Sequence, residues 1–127
     1  MELSDIPIID NHANNLLKPE AIAKYPLGAA FTEGRSPEII ERHARHSFSY
    51  RRSLRDIAAL LECEPEESEI LAKRKELGWQ QLTQICFKAA KLDALLLDDG
   101  FLADDILPLE WHQKFVPARR LLRVEAI

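Results

Sequence analysis

The chain has 127 residues, of which 46% are hydrophobic and 30% charged, with a formal net charge of -4. This length fits one domain with its own core, residues 1-127. The acidic balance argues against nucleic acid as a partner. No apolar run approaches the roughly 18 residues that cross a bilayer. No charged N-terminal region followed by an apolar core opens the chain. A cytoplasmic protein with no membrane contact is therefore expected. Cys63 and Cys86 match no zinc spacing and read as buried thiols of a reducing compartment.

The first predicted element is a strand over 6-10, Ile6-Pro7-Ile8-Ile9-Asp10. Its almost continuous apolar character suits a strand buried on both faces, as in parallel sheets. The strand leads into Asn11-His12-Ala13-Asn14-Asn15. Side chains two apart share a strand face, so Asp10, His12 and Asn14 are expected to point the same way. A short helix is expected from Pro19, broken at Tyr25-Pro26-Leu27-Gly28. Ser36-Pro37-Glu38 reads as a helix start, with a hydroxyl cap, proline in the first turn and an acid at the positive end of the dipole.

A helical insert is expected over 37-91. Leu54, Ile57, Ala58 and Leu61 follow the i, i+3, i+4, i+7 spacing of one helix face. Glu64-Pro65-Glu66-Glu67-Ser68 marks a stop and restart, and Gly78 is a candidate C-cap. Trp79, Leu82, Ile85, Cys86, Ala89 and Ala90 form the apolar stripe of the next helix. The pattern then changes over 93-127. Ala94-Leu95-Leu96-Leu97 is a second buried strand ending in Asp98-Asp99-Gly100, a helical turn is expected near Glu110 to Phe115, and Arg120 to Ile127 reads as a third strand. Strands separated by helices point to an α/β fold with a parallel sheet.

These residues resemble amidohydrolase family 2, in particular the amidohydrolase-like part of FluG-type and nodulin-glutamine synthetase fusion proteins. The resemblance rests on I-P-I-I-D-N-H-A-N-N at 6-15, S-Y-R-R-S-L-R-D-I-A at 49-58, L-L-L-D-D-G-F at 95-101 and R-R-L-L-R-V-E at 119-125. It implies the N-terminal part of a (β/α)8 metal-dependent hydrolase barrel, with the helical insert between its first two strands. It also implies a divalent metal (zinc or manganese) and a small-molecule substrate cleaved at a C-N or C-C bond. In that family the opening strand carries D-x-H-x-H, its two histidines binding metal. Here His12 matches the first histidine, and Asn14 stands where the second is expected. A neutral amide is a poor zinc ligand. The resemblance therefore implies a chain that is inactive alone, the later ligands lying beyond its end.

His12 reads either as a metal ligand or as a polar strand-end residue hydrogen-bonded to a neighbour. Asp10 and Asn14, with Asp98 or Asp99 from the next strand end, could form an oxygen-rich pocket, or those acids could cap helices and turns. Arg51, Arg52 and Arg55 belong to a basic block that could hold an anion or lie solvated beside acids. His43 and His46, three apart, could share a helix face. A different class of function is open as well: the insert could act as a non-catalytic interaction module. Open strand edges would then be covered by self-association into a homo-oligomer.

Overall fold

The computed structural model describes residues 6-100, 102 and 104-124. The chain divides into two compact units, Met1–Ala21 with Thr83–Ile127, and Ile22–Leu82.

The first unit is built on a three-stranded sheet. Its strands are β1 (Ile8–Asn14), β2 (Leu92–Asp98) and β3 (Ala118–Arg120), in the order β1-β2-β3 and all parallel. β1 starts two residues later than expected, after Pro7, whose missing N–H makes it a poor ladder member. It then runs on through His12 to Asn14. β2 lies at the centre and supplies the core: Leu95 and Leu97 are buried with Ala13, Val116 and Ala118, and Phe87, Leu92 and Leu109 pack around them. β3 starts earlier than the expected Arg120 and is only three residues long. Part of the predicted third strand, 125-127, lies outside the described residues.

This architecture corrects the expectation of a barrel segment. The described strands form a small open sheet that does not close, and the chain is otherwise mostly helical: a partial α/β fold. Two features show why. The link from β2 to β3 contains only a four-residue helix, α3 (Leu109–His112), where a barrel unit places a full helix against the sheet. And β1 is not buried on both faces, since Ile8 is 49% and Ile9 62% exposed. The apolar run suits a doubly covered strand, but among the described residues it is an edge strand with one neighbour.

The second unit is helical. Ser36 caps as expected, its Oγ accepting from the Ile39 N–H at 3.2 Å. The first part of the helical insert expected from Pro37 divides into a π-helical turn (Ile39–His43), a 3₁₀ turn (Ala44–His46) and helix α1 (Phe48–Leu61). Ser47 is the reason for the break. Its backbone is extended, and its Oγ caps α1 by accepting from Tyr50 N–H. Tyr50 is buried on the inner face of α1 with Ala58 and Leu61, edge-on to Phe31 at 5.1 Å. Its hydroxyl donates to Glu67, which also takes Arg45 at 3.1 Å. Burial and the Glu67 carboxylate push the Tyr50 phenol up to about 12. This cluster ties α1 to the start of α2.

Helix α2 (Glu67–Ala89) is interrupted at Gly78, where φ is 72° and ψ 166°. Only glycine visits that region at little cost. Gly78 thus ends one helical segment, as expected of a C-cap, and a second segment follows it. Among the described residues no helix is long and apolar enough to cross a membrane.

His112, on α3, is 1% exposed. Its Nδ1–H donates to the Pro108 carbonyl at 3.2 Å, its ring stacks near Phe87, and Nε2 is buried without a partner. Burial lowers its pKa. The folded state therefore resists a proton that the unfolded chain takes up near pH 6.5. Stability is expected to fall as pH drops below about 6.5. The slope of unfolding free energy between neutral and mildly acid pH should flatten in His112→Phe. An unchanged slope in denaturant titrations would remove His112 as its source.

Candidate functional site at the C-terminal end of the sheet

The parallel register places Asn14 beside Asp98, so the ends of β1 and β2 deliver their polar residues to one edge. The pairing shifts between Asp10 and Ala13. That irregularity breaks the alternation from which Asp10, His12 and Asn14 were expected to share a face. Asp10 is half-buried and turns back on its own strand, its Oδ1 accepting from the His12 N–H at 3.1 Å. His12 and Asn14 are exposed.

His12 does meet Asp98. Its Nε2 lies 3.2 Å from Asp98 Oδ2. An ionised carboxylate can only accept, so Nε2 carries the proton and donates. The Asp98 side chain is 2% exposed, while His12 is 62% exposed. Asp98 is also gripped by Arg123: Nε donates to Oδ1 at 2.9 Å and Nη2 to Oδ2 at 2.5 Å, a forked pair. The Gly100 N–H adds a further bond to Oδ1 at 3.1 Å. Arg123, then the Gly100 N–H and His12, hold the Asp98 carboxyl well below the usual carboxylate range, against its desolvation.

Gly100 matters for space as well as for its N–H. A Cβ there would come within 2.8 Å of Arg123 Cδ and 2.9 Å of Nε. Asp98-Asp99-Gly100 is therefore a turn built to admit the arginine. Asp99 points elsewhere and pairs with Arg120 at 2.6 Å. The next residue past β1, Asn15, buries both amide atoms without a partner.

The donor set can be tested against a divalent metal. Asp98 offers about four lone-pair positions, and three bonds from Arg123, whose Nε is shared between both oxygens, with one each from Gly100 and His12 take them up. Asp10 is turned onto its own backbone, and Asn14 brings only a neutral amide. Among the described residues no group of three His, Cys, Asp or Glu side chains could hold a metal ion. Zinc sites use three or four such ligands. The residues present do not fit the metal that the family resemblance implied.

The other predicted residues belong to the second unit. Arg51, Arg52 and Arg55 are on α1, in the other unit, where Arg52 and Arg55 both lie near Asp56. Arg51 approaches His46 Nδ1 at 3.5 Å. His43 and His46 end two different turns and do not share one helix face. Arg123 was missed as a site residue. It was visible only as one basic letter in a predicted strand, and the signal that could have found it was the glycine after two acids.

No family model matches the chain, and no solved structure matches it. Among curated proteins it is similar to Protein fluG of Emericella nidulans, 28% identical over 130 residues. The match covers 95% of this chain and 15% of that protein, so the chain spans about one seventh of the length of the curated relative it matches. The chain is a distant FluG-like sequence.

Proposed function

We propose that this chain is an amidohydrolase-like segment that does not hydrolyse by itself, its metal-binding edge having been converted into a His12-Asp98-Arg123 ion cluster. The observation that carries this reading is the Arg123 fork on Asp98. The guanidinium supplies the positive charge beside the carboxylate that a cation would otherwise supply. It is covalently tethered and always protonated, so it competes at every pH of interest. Asn14 in place of a second imidazole lowers zinc or manganese affinity further. The FluG similarity supports the lineage. The small-molecule substrate of an active relative would then have no reacting centre in this chain. To test it, the purified chain is equilibrated with zinc or manganese, dialysed, and its metal content measured. The expected result is no stoichiometric ion. One ion per chain, lost in His12→Ala, would sink the proposal.

A second reading is favoured by the open edge of the sheet. Among the described residues β1 has one strand neighbour, and it exposes Ile8 and Ile9. Such an edge invites pairing. On this reading the chain self-associates through β1, and light scattering should give a discrete dimer that Ile9→Lys dissociates. A monomer at high concentration counts against it.

A further inference from the structure

The opposite, N-terminal end of the same sheet carries an open groove of about 660 Å³. It lies where β2 begins at Leu92, α2 ends and the chain leaves α3. We propose that it binds a small amphipathic organic anion, with a flat apolar body and a carboxylate or phosphate head. The volume falls within the range of ligand pockets. Phe87, Phe115 and Leu92 give it an apolar wall, and the two rings meet edge-to-face with centroids 6.2 Å apart. Lys88, Lys91 and Lys114 line it against one carboxylate, Asp93.

The charge is arranged as a ligand of this class requires. None of the three lysines forms an ion pair among the described residues. Lys114 Nζ sits over the Trp111 ring, 4.7 Å from its centroid, a cation-π contact that orders the side chain without neutralising it. Lys91 sits at φ 51°, left-handed backbone just past the end of α2, where helices usually place glycine or asparagine. A lysine there bears backbone strain, and strain kept at one residue of a groove is a pointer to use. An aromatic or branched body would replace water on Phe87 and Phe115, while the head meets ammonium groups. A bare anion gains only the second contact and a neutral arene only the first.

Lysines at a helix C-terminus also answer the helix dipole, and the test separates the two roles. Benzoate and phenyl phosphate are titrated into the ¹⁵N-labelled chain, with benzyl alcohol and inorganic phosphate as controls. Saturable shifts are expected at the amides of Phe87, Lys91 and Phe115 for the two aromatic anions. Both controls should bind at least about tenfold more weakly, one decade in the dissociation constant. The stronger of the two anions identifies the head group. Lys88→Gln with Lys91→Gln should weaken binding by about tenfold or more; the exposed single change Lys114→Gln gives the same readout if the double variant folds poorly. Shifts that ignore the lysine changes, or controls that bind as well as the aromatic anions, overturn the proposal. Lower stability in the lysine variants with no anion binding to the native chain does so too, leaving dipole capping as their role.

Discussion

Leu97→Ala is expected to lower the unfolding free energy by about 3 kcal/mol, within the roughly 2–5 kcal/mol typical of buried leucine truncations. Leu97 is 2% exposed on the central strand and packs in the cluster with Ala13, Leu95, Val116 and Ala118. The small sheet has few large side chains to relax into the hole, since two of those neighbours are alanines. Leu97 also pairs with Ala13 on one side and Arg120 on the other, so its loss loosens both strand contacts. Chemical denaturation followed by circular dichroism measures the change. A loss below about 1 kcal/mol would mean that this cluster is not the core of the unit.

The second large effect is in acid. Asp98 has a folded pKa held below its unfolded value by Arg123. A depressed carboxyl contributes stability that is present above the unfolded pKa of about 3.9, and is lost as pH falls below it. The native chain should therefore lose stability steeply below about pH 4. Asp98→Asn should be less stable at neutral pH, because Arg123 loses its anionic partner, and should show a much shallower acid slope. Together with His112 this predicts two separate limbs in the pH profile, His112→Phe removing the upper and Asp98→Asn the lower. Equal acid slopes for the native chain and Asp98→Asn would show that the ion cluster is not formed in solution.

Much of the local structure was legible in the letters. Ser36 announced its cap, Leu54-Ile57-Ala58-Leu61 announced α1, and the apolar run at 94-97 announced the central strand. The edge character of β1 was not legible, because Ile6-Ile8-Ile9 has the same composition whether both faces are covered or one lies open. Nor was the pairing irregularity between Asp10 and Ala13, which depends on how β2 docks and not on β1's own sequence. The barrel was inferred from likeness and strand order. What overruled it was the short link through α3, too small to make a sheet-covering crossover. At the site, His12 beside an acid of the Asp98-Asp99 pair was within reach of spacing arguments. Arg123 was not, since its contact spans 25 residues and rests on the space left by Gly100.

The most direct measurement is a calorimetric zinc titration of the native chain and its Arg123→Gln variant, side by side at neutral pH. If the arginine holds Asp98 closed, the native chain gives no saturable heat. The variant then gains weak binding that disappears when His12→Ala is added. Stoichiometric, His12-dependent binding that is equal in the native chain and in Arg123→Gln would contradict the account, because Asp98 would then be open to a metal despite the guanidinium beside it.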